Sequence, residues 1–141
     1  MEHEEVVTAT GHENVTATHS STLEVTSDEF LTPAGDCILG IEADRVPRDF
    51  DEAFVAACQS AAATITATID VAGHTVTIEG SGHPDLVFES DRSHVLRTSS
   101  YVDERTVMVG ADSAAGDVDR GLISALSEGA DATLTLSVQS P

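Results

Sequence analysis

A chain of 141 residues, 40% of them hydrophobic, suits one domain (1–141) around one core and is too apolar for wholesale disorder. Against 25 acidic side chains stand six bases, all arginine, for a net charge of -19; such a surface repels phosphate backbones and argues against non-specific nucleic-acid binding. No apolar run approaches the roughly 18 residues of a membrane-spanning helix. The opening Met1-Glu2-His3-Glu4-Glu5 has neither the basic nor the apolar region of a signal peptide, so a cytoplasmic protein is expected.

The acids are scattered along the chain and lysine is absent. Molar salt shrinks the Debye length to roughly 3 Å, which removes most of the self-repulsion. The pattern suits a surface adapted to concentrated salt, as in salt-accumulating archaea. In a cytoplasmic setting Cys37 and Cys58 are expected as free thiols.

Residues 4–10 and 15–19 read as strands that could form a hairpin around Gly11-His12-Glu13. Val7-Thr8-Ala9-Thr10 recurs as Val15-Thr16-Ala17-Thr18, which reads as similar strand chemistry and not as a repeat architecture. Thr22 to Thr26 is a short strand with Leu23 and Val25 on one face. The apolar run 37–41 reads as a central strand. A helix is expected over 49–60, capped by Asp49, with Phe50, Phe54, Val55 and Cys58 on one face.

Strict alternation over 63–71 and a return strand after Ala72-Gly73 predict a hairpin with Ile69 opposite Val76 and Ala67 opposite Ile78. Residues 86–88, 95–98 and 105–111 read as strands. A second helix is expected over 114–127, capped by Asp112 or Ser113 and ended by Gly129. The last strand spans 132–138. The sum is a mainly-β chain of nine or ten short strands with two helices, a sandwich or barrel.

Several blocks resemble an archaeal family catalogued as domain of unknown function 371. They are Gly-His-x-Asn-Val-x-Ala-Thr-His-x-x-Thr-x-Glu at 11–24, Leu-Thr-Pro-x-Gly-Asp-Cys-Ile at 31–38, and Asp103-Glu104-Arg105-Thr106 leading to Ala111-Asp112-x-Ala114-Ala115. The family's usual lysine after Ala-Asp is Ser113 here, and the thinned basic positions fit a haloarchaeal member. The resemblance implies a jelly-roll-like β-sandwich and no established activity.

His12, His19, Asp36 and Cys37 are metal-ligand types, but their spacing matches no zinc pattern, so no metal and no cofactor is expected. His19 has the parity of Val15 and Ala17, which favours a hydrogen-bonded, inward-facing ring. Cys37 follows Asp36 and lies in an apolar run, which suits a structural thiol and not a nucleophile. Gly80-Ser81-Gly82-His83 lacks the ending of a phosphate-binding P-loop.

The arginine block, 91–105, carries two readings. Arg97 and Arg105 could pair with Asp36, Asp44, Asp103 or Asp112 and lock loops to the sheets. They could instead form an anion pocket with His19, Thr98 and Ser99, since arginine forks grip phosphate or carboxylate bidentately. The leading functional expectation is a binding module for a small anionic ligand. The alternatives are an enzyme using His19 or His94 as acid or base, and a protein-interaction domain without a small-molecule site. The sequence names neither a catalytic residue nor an oligomeric state.

Overall fold

In the computed structural model, which describes residues 2–140, the chain runs β1 (Glu2–Thr10), β2 (Thr22–Thr26), β3 (Ile38–Gly40), α1 (Glu52–Cys58), β4 (Thr64–Val71), β5 (His74–Ser81), β6 (Ser93–Arg97), β7 (Thr106–Met108), α2 (Arg120–Ser127) and β8 (Asp131–Gln139). A 3-10 turn precedes each helix, at Pro47–Asp49 and Ala115–Asp117. The mainly-β sandwich with two helices expected from the sequence is what the chain forms. Among the described residues the strands number eight, in two four-stranded sheets ordered β1-β8-β4-β5 and β3-β2-β6-β7.

Alternation decides which side chains meet between the sheets. In β4, Ile65, Ala67, Ile69 and Val71 point inward, as Leu134, Leu136 and Val138 do in β8, while Thr64, Thr66, Thr68, Thr133 and Thr135 take the other face. Leu23, Val25, Leu39, Leu96 and Met108 complete the core from the second sheet. The β4–β5 hairpin has the expected register, Ile69 opposite Val76 and Ala67 opposite Ile78. Its turn is Ala72-Gly73, both at positive φ (47° and 86°), the backbone a two-residue hairpin needs.

Four expectations are corrected. Residues 15–19 and 86–88 join no ladder, and β1 pairs with β8 instead of with 15–19. Each segment follows a turn closed on a histidine carbonyl, Val15 N to His12 O and Leu86 N to His83 O. Each also contains a residue at positive φ, Ala17 (49°) or Phe88 (52°), which breaks an extended run. The run around β3 is buried but lies at a sheet edge, its outer side closed by a bridge from Ile41 to Thr10. Both helices start late: Asp51 and Asp119 are the caps, accepting from Ala53 N and Leu122 N. Asp49 and Asp117 instead turn back to accept from Val46 N and Ala114 N, closing the 3-10 turns.

The chain is also a repeat, contrary to the sequence reading, with a longer unit than the Val-Thr-Ala-Thr echo. β1, β2, β3, α1 and β4 reappear as β5, β6, β7, α2 and β8 about a two-fold axis between β4 and β8 and between β2 and β6. The hydrogen bonds repeat in detail. Thr8 N donates to Asp44 Oδ1 as Glu79 N donates to Asp112 Oδ1. The Thr10–Ile41 bridge recurs as Ser81–Val109, so both sheet edges are stitched together. The halves also cross: Arg48 N donates to Ser90 O, and Gly116 N to His19 O.

Gly11 and Gly82 occupy equivalent places where a Cβ would collide with a helix-end carbonyl, Leu126 O in one half and Cys58 O in the other. Overpacking of that kind costs about 1–3 kcal/mol. Gly11→Ala and Gly82→Ala are therefore each expected to lower the melting temperature, and by similar amounts.

Candidate functional site

β2 and β6 lie antiparallel at the centre of the second sheet, with Thr22 opposite Arg97 and Glu24 opposite Val95. Leu23, Val25 and Leu96 face the core, so Thr22, Glu24, Val95 and Arg97 share the opposite face. This face is not open to water at Arg97, which is only 8% exposed. The 98–105 connection covers it. Tyr101 lays its ring against the guanidinium, 4.8 Å from centroid to Cζ, and Asp103 pairs with it.

Asp103 organises the strip. Its Oδ2 accepts from Arg97 Nη2 (3.0 Å) and from Arg105 Nη2 and Nε (2.9 and 3.2 Å). Its Oδ1 accepts from Arg105 N and Thr106 Oγ1, and Thr106 Oγ1 in turn accepts from Arg97 Nε at 2.9 Å. Burial by itself would raise the Asp103 pKa. The Arg105 hydrogen bonds and the Arg97 charge outweigh that and hold it down at about 2. The bond to Asp103 also raises the Arg105 pKa.

Cys37 and Glu24 flank Arg105. Cys37 Sγ donates to Glu24 Oε1 at 3.5 Å. Burial, helped by the Glu24 charge, pushes the thiol pKa up to about 11, so it is a neutral thiol near pH 7. Cys58 is buried, and its pKa rises to about 12 for the same first reason; both cysteines are free.

His19 adjoins the strip through Thr22. Its Nδ1 accepts from the backbone N–H of Ser21 and Thr22 (3.2 and 3.1 Å), with Thr22 Oγ1 at 3.0 Å. An accepting Nδ1 assigns the proton to Nε2 and makes that nitrogen a donor. Thr98 Oγ1 donates to Ser21 O, beside Thr22, whereas Ser99 Oγ accepts from Tyr101 N within its own loop. Arg97 and Arg105 thus meet on one carboxylate, His19 and Thr98 reach the same strip through residues 21 and 22, and Ser99 turns away. Thr22, Glu24 and Thr106 were missed in the sequence. The alternation of 22–26 held the signal for the first two, because residues off the Leu23 face share the face of Arg97.

Asp44 and Asp112 pin strand amides, and no ion pair among the described residues joins Asp36, Asp44 or Asp112 to Arg97 or Arg105. His94 lies elsewhere. It has no exposed surface, stacks on Phe50 at 5.4 Å and donates from Nε2 to Arg45 O at 2.8 Å. Burial pushes its pKa down to about 4. A solute does not reach this ring, so its geometry gives an acid–base role no support.

Two grooves lie apart from the strip. One, of about 390 Å³, is lined by Thr8, Thr10, Glu42, Asp131 and Thr133 on the threonine face of the first sheet. The other, of about 260 Å³, runs between α1 and the 87–88 segment. Among the described residues no three His, Cys, Asp or Glu side chains are grouped to hold a metal ion, and no helix is long and apolar enough to cross a membrane.

Residues 7–139 match the family described as Domain of unknown function (DUF371). The chain belongs to the DUF371 family. It is 42% identical over 124 residues to "Uncharacterized protein MJ0206" of the archaeon Methanocaldococcus jannaschii, covering 88% of this chain and 91% of that protein. The DUF371 blocks quoted above fall on the strip: 11–24 supplies His19, Thr22 and Glu24, 31–38 supplies Cys37, and 103–106 supplies Asp103, Arg105 and Thr106.

Proposed function

We propose that this DUF371 chain is a soluble cytoplasmic binding module for a small anion bearing phosphate or carboxylate, held along the strip of His19, Arg97, Thr98 and Arg105. The observation that carries the reading is that two guanidinium groups share one carboxylate oxygen. Asp103 balances one of them, and Glu24 offsets part of the other, so the strip is far less negative than the rest of a chain of net charge -19. Arg97 anchors Asp103 from beneath. The Arg105 side chain is 41% exposed, and its Nη1 edge makes no hydrogen bond among the described residues. That edge and the His19 Nε2–H are the donors offered to an anion, while Thr98, its hydroxyl donated to Ser21 O, ties the 98–105 connection beside them.

Glu24 lies close enough to Arg105 to temper its field, so the affinity expected is millimolar, about -4 kcal/mol. Both sheets take strands from both halves of the chain, which supports treating 1–141 as one domain. The absence of lysine and the excess of acids support a salt-adapted surface.

Calorimetric titration with phosphate, sulfate and acetate in concentrated KCl tests the reading. Arg105→Gln is expected to abolish binding with little change in melting temperature, because the side chain is part-exposed. Binding by Arg105→Gln equal to that of the unmodified chain would remove the proposed site.

A further inference from the structure

Arg120 shows what the two-fold repeat makes of a guanidinium. It follows the Asp119 cap at the start of α2 and folds back over the preceding 3-10 turn. Its Nε and Nη2 donate to Val118 O (3.0 and 2.9 Å), and Nη2 also donates to Ala115 O and Ala17 O (3.0 and 3.1 Å). Its Nη1 donates to Thr16 O at 3.2 Å. The cage is made of four carbonyls and contains no carboxylate.

The same backbone path exists in the other half. Phe50 N donates to Pro47 O as Val118 N donates to Ala115 O. Phe50 and Val118 share φ/ψ values, -72°/149° and -73°/142°. Phe88 matches Ala17 at positive φ, 52° against 49°. The Arg48–Ser90 and Gly116–His19 bonds hold the two turns against their neighbouring segments alike. The four carbonyls corresponding to the Arg120 cage are therefore those of Pro47, Phe50, Val87 and Phe88. All four residues line the 260 Å³ groove beside α1. At the position of Arg120 stands Glu52, which accepts hydrogen bonds and cannot donate them when ionised.

We propose that this groove receives the guanidinium of an arginine side chain from a basic partner protein. The chain supplies an internal arginine to one cage and a carboxylate to the rim of the other. Phe50, Val55 and Val87, the last 41% exposed, offer apolar walls for the three-carbon stem. The net charge of -19 draws a basic segment toward the surface. Arg48 also lines the groove, but its side chain is 63% exposed and leans to Asp91 at 3.9 Å, so it stands at the rim.

Two variants and three probes test this. In amide-resolved NMR, N-acetyl-arginine amide is expected to shift Phe50, Val87 and Phe88, and the lysine analogue to leave them unmoved. Glu52→Arg is expected to fill the cage from within, to abolish those shifts, and to melt about 3 °C or more above Glu52→Ala, roughly 1 kcal/mol for a chain of this size. An arginine-bearing peptide is expected to bind at least tenfold more tightly than the amide. Absent shifts, shifts that survive Glu52→Arg, or equal melting of Glu52→Arg and Glu52→Ala would overturn the site. Equal affinity of peptide and amide would overturn the assignment to a partner protein.

Discussion

Replacing Asp103 with alanine is expected to lower the unfolding free energy by about 3–5 kcal/mol, because it leaves the buried Arg97 guanidinium without its anion. Arg97 is 8% exposed, and after the substitution Thr106 Oγ1 is its one remaining side-chain acceptor. Arg105→Ala should cost far less, since Asp103 keeps Arg97 and the lost side chain was part-exposed. The pH dependence separates Asp103→Ala from the unmodified chain. The folded-state pKa of Asp103 is about 2 against an ordinary 3.8, so its contribution is complete above 3.8 and is lost as pH falls through 2. His94 acts in an earlier window. Its folded pKa of about 4 lies below the ordinary 6.5, so stability drains between 6.5 and 4, where the unfolded chain takes a proton that the buried ring refuses. Asp103→Ala should keep the His94 window and lose the lower one. Thermal melts of both chains from neutral pH downward measure this.

Raising KCl from about 0.1 M to about 2 M is expected to raise the melting temperature by about 10 °C or more. That corresponds to roughly 3 kcal/mol at about 3–4 °C per kcal/mol. The cause is the net charge of -19 with no lysine to offset it. The Asp103 ion pairs, with Arg97 at 10% side-chain exposure, are screened less than the surface repulsion, so they survive at high salt. Equal melting temperatures in the two solutions, followed by circular dichroism, would contradict a salt-adapted surface.

The β4–β5 hairpin was legible because its alternation is strict and its turn has a glycine where φ must be positive. Residues 15–19 and 86–88 looked like strands because Val15, Ala17, Leu86 and Phe88 alternate and are buried. Their burial comes from packing loops against the core, and no periodicity reports that Ala17 and Phe88 adopt a left-handed backbone. The helix starts were misread because Asp49 looks like the cap of the first helix and Asp112 or Ser113 that of the second, and only the folded 3-10 turns, where Asp49 and Asp117 serve Val46 and Ala114, move the caps to Asp51 and Asp119. The duplication was present as Gly11-His12 and Gly82-His83, Ala43-Asp44 and Ala111-Asp112, and the Asp49/Asp51 and Asp117/Asp119 pairs. The shorter echo in β1 drew attention because its copies are adjacent. For the site, sequence placed Arg97, Arg105 and Asp103 in one block. The sharing of a single oxygen depends on the path of the 98–105 connection, which alternation does not encode.

The central claim, an anion held on the Asp103 strip, is tested most directly by anomalous diffraction from a crystal soaked in tungstate, a heavy analogue of phosphate. The account predicts one peak within hydrogen-bond distance of Arg105 Nη1 and facing His19 Nε2, absent from Arg105→Gln crystals. Tungstate bound only elsewhere, with Arg105 still folded onto Asp103, would contradict it.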